Sequence, residues 1–248
     1  MISPKPHHVL YKQTGPDSEV SVLITNFNYE IFIIECLNSV YDQDLKNLDL
    51  YIVDDASTDS SVETICRWLT INAKRFNTIV FVQHVNNQGL AHARNTLVTL
   101  SSTPYVFILD ADNLLLPSCL RKHHEAIVNS KSAMAYAILK KFGHREELVG
   151  SEIFSAELLA WGNYIDAMVM FDKNILVKLG GYEKMEIGGW EDYNLICNLI
   201  ENKYEGCYIG EILCLYRVHG ESMLHVVTNK KEEQLREIFR NRFSFIAF

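Results

Sequence analysis

The sequence predicts an α/β fold in which a mostly parallel central sheet is flanked by helices. Three observations predict it. Short apolar runs recur through the first half of the chain, at residues 20–24, 48–53, 78–83 and 105–109. Between them lie segments with apolar residues at helical spacing, as Val62, Ile65, Cys66 and Leu69 show. Each run stops at a polar cluster. Strands at this spacing with helices between them suit a parallel sheet covered on both faces. The right-handed crossover rule then gathers the C-terminal ends of the strands along one edge.

In chain order, residues 1–19 are polar, with Pro4, Pro6 and a Gly15-Pro16 turn, and are expected to be a lead-in without fixed order. The strand at 20–24 runs into Thr25, Asn26, Phe27 and Asn28, and a helix is expected over 30–41. The strand at 48–53 stops at Asp54 and Asp55, after which Ser57, Thr58 and Asp59 supply cap chemistry for a helix to about residue 75. A strand at 78–83, a turn at 86–89, a helix over 90–101 and a strand at 105–109 follow.

After Pro117 a helix is expected to about residue 130, then a strand at 133–142. Residues 143–163 are more polar and read as an insertion near the site, with a helical patch at 156–161. A strand at 165–171 and a helix at 173–179 come next, closed by Gly180-Gly181. Gly188, Gly189 and Trp190 open a helix with Leu195, Ile196, Leu199 and Ile200 on one face. The expected organisation is one domain over 20–228, with a nucleotide-binding half at 20–115 and an acceptor-binding half at 116–228, and a helical tail at 229–248.

Composition narrows the function. A net charge of −8 and the lack of a basic track interleaved with aromatics argue against nucleic acid as a partner. Six cysteines (Cys36, Cys66, Cys119, Cys197, Cys207 and Cys214) form no CxxC pair and read as reduced thiols of a cytoplasmic protein. The first residues lack the apolar stretch of a signal peptide, and no window reaches the length of a membrane span.

The chemistry concentrates where the strands end. Asp110 and Asp112 follow the apolar run 105–109, and carboxylates two residues apart can converge where a strand emerges. They either share a divalent cation or cap the next element. Asn26 with Asn28, and Asp54 with Asp55, land on the same edge. Glu191 and Asp192 occupy a first helical turn, where acids are favoured by the helix dipole alone. Facing a pocket, one of them is also placed to act as a general base, with Trp190 as an apolar wall. One acid is expected to face inward, Asp192 as the base and Glu191 binding acceptor or supporting the turn.

Residues 21–28, 53–59, 89–95, 108–113, Gly180-Gly181-Tyr182, Trp190-Glu191-Asp192 and 216–219, taken in order, resemble the family 2 glycosyltransferases of GT-A fold. The resemblance covers residues 20–220. It implies inverting transfer from a nucleotide-diphosphate sugar, expected to be a UDP-sugar, with Mn²⁺ or Mg²⁺. It places Thr25, Asn26, Asn28, Asp54, Asp55, Arg94, Asp110 and Ala111 against the donor. Asp112 is assigned to the metal, with His219 and Asp110 as further candidate ligands, and Arg217 to the diphosphate. Asp192 becomes the catalytic base, supported by Glu191, and Trp190 faces the acceptor, a glycan, lipid-linked or small-molecule hydroxyl, in polysaccharide biosynthesis.

Some readings stay open. His219 and Arg217 each have a structural alternative, a hydrogen-bonded histidine and a structural ion pair. The remaining histidines, His225 among them, show no ligand-like spacing. In the tail, Leu235, Ile238, Phe239, Phe243 and Ile246 recur at helical spacing beside Lys230, Lys231, Arg236, Arg240 and Arg242. That pattern fits packing on the domain or peripheral contact with the inner face of a membrane. Two other functions compete, a sugar nucleotidyltransferase and a non-catalytic sugar-nucleotide or carbohydrate-binding subunit. The first usually needs a glycine-rich basic loop after the first strand, which residues 25–29 lack.

Overall fold

Strands and helices alternate along the chain as the apolar periodicity requires. The computed structural model describes residues 2–220 and 231–248. The expected boundary at 228/229, His225 and Lys230 lie outside the described residues. The first half comprises β1 (His7–Gln13), β2 (Val20–Asn26), α1 (Ile33–Tyr41), β3 (Leu48–Asp54), α2 (Ser61–Asn72), β4 (Ile79–His84), α3 (Leu90–Leu100) and β5 (Tyr105–Asp110). The second comprises β6 (Leu114–Leu115), α4 (Cys119–Ser130), β7 (Met134–Gly143), β8 (Glu147–Val149), α5 (Ala156–Leu159), β9 (Met170–Asp172), α6 (Lys173–Lys178), α7 (Glu191–Glu201), β10 (Gly206–Val218) and α8 (Glu232–Arg242).

The strands form one mixed, mostly parallel sheet in the order β1-β4-β3-β2-β5-β9-β7-β10-β6, with β8 paired to β7. β4, β3, β2 and β5 run parallel, as do β7 and β10, while β9 lies antiparallel between β5 and β7. Side chains alternate across the sheet, so each face has its own core. Val20, Val22 and Ile24 of β2 join the apolar residues of α1, α2 and α4 on one face. Leu23 joins those of α3, α6, α7 and α8 on the other. This is an α/β sandwich with helices on both faces of the sheet.

Two expectations need correction, and one strand has no counterpart in the sequence reading. Residues 7–13, read as unordered lead-in, form β1, pairing antiparallel with β4 from His7↔His84 to Gln13↔Ile79. The Gln13 side-chain amide donates to the Phe76 carbonyl at 2.9 Å, which anchors that edge. The strand expected at 165–171 shrinks to β9, because the Asp166 carboxylate accepts from the Met168 N–H at 2.9 Å and turns the backbone out of the ladder. β10 was unread because register shifts between Ile209 and Ile212, and again before Cys214, break its alternation.

The tail helix packs inward. Leu235 and Phe239 of α8, and Phe243 beyond it, are fully buried, and the Phe239 ring stacks on Tyr193 with centroids 4.9 Å apart. The apolar face that peripheral membrane contact would use is therefore committed to the core.

Candidate active site

The C-terminal ends of β2, β3 and β5 are adjacent in register, Asn26 opposite Asp54 and Thr25 opposite Asp110. A cavity of about 730 Å³ opens over this edge, and the start of α7 and residues 163–167 close its far side. Thr25, Asn26, Asn28, Asp55, Arg94, Asp110, Asp112, Trp190, Glu191 and Asp192 all line it. Asp54, Ala111, Arg217 and His219 lie behind the lining.

Asp54 is fully buried and accepts from the Asn26 amide at 2.8 Å and the Ser57 N–H at 2.9 Å. It ties two loops together and has no face toward a donor. Its neighbour Asp55 points the other way, as alternation along a strand requires. Asp55 accepts from His84 Nδ1 at 2.6 Å, the Gln88 N–H at 2.9 Å and the Gly89 N–H at 2.8 Å, which fixes the start of α3. Burial works to raise its pKa, but these hydrogen bonds prevail and hold it below the ordinary value. Asn28, with φ of 55°, accepts from the Thr58 N–H at 2.8 Å and keeps its loop against the cavity.

Asp110 accepts from Arg94 Nη2 at 3.1 and 2.9 Å and from the Thr25 hydroxyl at 2.8 Å. Arg94 Nη1 donates to Glu191 at 3.3 Å, and its guanidinium lies over the Tyr182 ring at 5.1 Å. Only 2% exposed, Arg94 would be pushed toward neutrality by burial, but the Asp110 and Glu191 carboxylates outweigh this and raise its pKa. Tyr182 is set by Asn95, whose side chain bonds both its N–H and its carbonyl. Gly181 makes that approach possible, since its φ is 69° and a Cβ there would collide with the Asn95 side chain. Arg94 therefore bridges two elements, and Glu191 supports Arg94 rather than its own turn.

Asp112 is 8% exposed and bonds His219 Nε2 at 3.0 Å. Burial and then the charge of Asp110 push its carboxyl above the ordinary range, with His219 opposing. Arg217 donates to the Asp112 carbonyl at 2.9 Å and to Glu35 at 2.8 Å, sandwiched between Phe32 and Phe142 at 4.6 and 4.5 Å. That position makes it a brace behind Asp112. Ala111 donates its N–H to the Thr25 carbonyl at 3.1 Å and is fully buried.

The Asp112 carboxylate suits Mn²⁺ or Mg²⁺ with sites left for water and phosphate, while a nitrogen from His219 would favour Mn²⁺ over the harder Mg²⁺. Asp110 is turned to Arg94. Among the described residues the one close-set trio of ligand atoms is elsewhere, at Cys119, His123 and Cys214 in the core. Burial raises the Cys119 thiol and lowers His123 to about 4.

Asp192 accepts from the Asn163 amide at 3.3 Å and from its own helix at the Tyr193 N–H, 2.8 Å. Burial raises its pKa, opposed by Arg94 and the Tyr193 N–H, which leaves a carboxyl more basic than usual at the cavity surface. Trp190 takes φ of 59° at the start of α7 and packs edge-on against Tyr193, Phe239 and Phe248. It lines the cavity as an apolar wall. Other residues also line the cavity: Asn113, Asn163 and Tyr216, from stretches the sequence reading had marked, and Lys141 and Asp166, which it missed. Asp166 had a signal, a lone acid in the apolar stretch Ile165 to Phe171.

Residues 21–182 match the family described as Glycosyl transferase family 2. Glycosyltransferase GlyA of Streptococcus pneumoniae is 29% identical over 93% of this chain, which spans 35% of that protein. The Escherichia coli UDP-Glc:alpha-D-GlcNAc-diphosphoundecaprenol beta-1,3-glucosyltransferase WfaP is 24% identical over 88% of this chain and 83% of its own. Among solved structures, S. aureus TarS in complex with UDP-GlcNAc superposes with a TM-score of 0.74 at 18% identity, over 89% of this chain and 65% of that one. The mannosyltransferase PcManGT from Pyrobaculum calidifontis, in complex with GDP-Man and Mn²⁺, gives 0.69 at 18% identity over 96% and 64%. The fold is the GT-A fold.

Proposed function

The chain belongs to glycosyl transferase family 2, and on that premise we propose that it moves a sugar from a UDP-sugar to an acceptor hydroxyl, with inversion and with Mn²⁺ or Mg²⁺. One observation carries the reading. A single cavity joins the ends of β2, β3 and β5 to Asp192, a carboxylate on a separate helix with a raised pKa and no cation within ion-pair distance among the described residues. The bound UDP-GlcNAc of TarS and the GDP-Man and Mn²⁺ of PcManGT support a nucleotide-sugar donor and a divalent ion.

Asn26, Asn28 and Asp55 frame the nucleoside side, and Asp110, held by Arg94, receives ribose or sugar hydroxyls. Asp112 and His219 would hold the cation, which when bound offsets the negative charge growing on the diphosphate. Asp192 takes the proton of the acceptor hydroxyl while that oxygen bonds the anomeric carbon and the bond to the diphosphate breaks. Glu191 keeps Arg94 charged and in place, and Trp190 backs the acceptor. The acceptor is a glycan, a lipid-linked sugar or a small alcohol. WfaP, named for a diphosphoundecaprenol-linked acceptor, favours the lipid-linked case.

Among the described residues no helix is long and apolar enough to cross a membrane. A panel of UDP-sugars with Mn²⁺ and glycoside acceptors, read by mass spectrometry, tests the proposal. Glycoside product from at least one donor is expected, and neither transfer nor hydrolysis across the panel contradicts it.

A further inference from the structure

Six carboxyl groups of the described residues line the cavity: Asp55, Asp110, Asp112, Asp166, Glu191 and Asp192. Four of them have a cationic or imidazole partner, Asp55 with His84 at 2.6 Å, Asp110 with Arg94 at 2.9 Å, Asp112 with His219 at 3.0 Å and Glu191 with Arg94 at 3.3 Å. Asp192 and Asp166 are left over. A carboxyl kept in a cavity without such a partner is costly unless a ligand completes it.

We propose that Asp166 is an acceptor-binding residue, which holds a second hydroxyl of a polyhydroxylated acceptor while Asp192 engages the reacting one. The inference rests on Asp192 being the base. Asp166 and Asp192 belong to one structural unit, because Asn163 donates its amide to Asp192 at 3.3 Å and its side-chain oxygen accepts the Ile165 N–H at 3.1 Å. One Asp166 oxygen is fixed by the Met168 N–H at 2.9 Å, which leaves the other for a ligand. The groups that act on it are Asp192, Asp110 and Arg94, and it acts in turn on Tyr216. Burial and the two acids raise its pKa to about 7, against the Met168 N–H and Arg94, so it can donate to or accept from a hydroxyl near neutral pH. A monohydroxyl acceptor leaves this carboxyl unsatisfied and is selected against.

The test compares methyl β-glucoside with cyclohexylmethanol, a ring of similar size with one hydroxyl, as acceptors for UDP-GlcNAc or UDP-glucose with Mn²⁺. UDP release is followed in wild type, Asp166→Ala, Asp166→Ser and Asp166→Asn. Serine keeps an acceptor for the local turn and drops the second oxygen, while asparagine keeps both functions in neutral form. Wild type is expected to favour the glucoside by about tenfold or more, the worth of one hydrogen bond to a charged or buried group. The alanine and serine variants should lose that preference, through a higher glucoside KM, and asparagine should retain part of it. UDP affinity by calorimetry should stay within about twofold in all three, which separates the effect from misfolding. An unchanged preference in the alanine and serine variants overturns the inference, as does a wild type with no preference. Wild-type turnover in Asp192→Asn, or no UDP release from either donor, overturns the reading of the site beneath it.

Discussion

Arg94 grips Asp110 from a helix on the opposite side of the cavity edge, its Nη2 lying 3.1 and 2.9 Å from the two carboxylate oxygens, while Nη1 reaches Glu191 at 3.3 Å. One buried cation thus sets the position of an acid at the end of β5 and of another at the start of α7.

Replacing Arg94 with alanine leaves Glu191 buried and Asp110 without its cation. Loss of one partner from a buried ion pair costs on the order of 3–5 kcal/mol. Arg94→Ala should lower the urea midpoint accordingly and weaken UDP binding at least about tenfold. Arg94→Lys, which cannot span both acids, should fall between it and wild type.

Asp192→Asn should reduce transfer by about 10²–10⁴-fold, the usual contribution of a positioned base, with UDP affinity kept within a few-fold. The same change should raise the melting temperature by roughly 1–3 °C, because burial disfavours the charged form that asparagine removes. Scanning calorimetry and initial rates on one preparation test both parts.

The pH dependence follows from the same group. Asp192 must be ionised to accept a proton, and its pKa lies above the ordinary 3.8, so transfer should fall with decreasing pH at a midpoint above that value. The kcat profile of wild type shows the limb, and the residual activity of Asp192→Asn should lack it. A wild-type midpoint at or below 3.8 contradicts the assignment.

Asp55 behaves in the opposite sense. Its folded pKa is lowered, so its stabilisation is full above the unfolded value and is lost as pH falls through the depressed folded one. Asp55→Asn should cost about 1–3 kcal/mol at pH 7, as buried partners lose a charged acceptor. Denaturation at a series of pH values should show that gap shrinking below about pH 4.

The edge that holds the site was legible because β2, β3 and β5 are mostly apolar runs that alternate with helices, which suits a covered parallel sheet. Which acid of a pair faces the cavity was not. Asp54 and Asp55 differ by one position, and alternation sends one to the sheet side and the other to the cavity; sequence alone does not say which. Arg217 near the end of β10 and His219 just beyond it lie two apart, yet one braces Asp112 from behind through its carbonyl and the other bonds its carboxylate. Asp166 was hidden by its own effect, since the turn it makes to Met168 breaks the strand that the apolar pattern predicts. β1 escaped notice because an edge strand with one face exposed need not be apolar.

The most direct test of the central claim is calorimetric titration of UDP into wild type and Asp112→Ala, with and without Mn²⁺. The account predicts that Mn²⁺ strengthens UDP binding to wild type at least about tenfold and gives no such gain in the variant. Equal Mn²⁺-dependent gains in the two proteins, or no UDP binding by wild type, would contradict it.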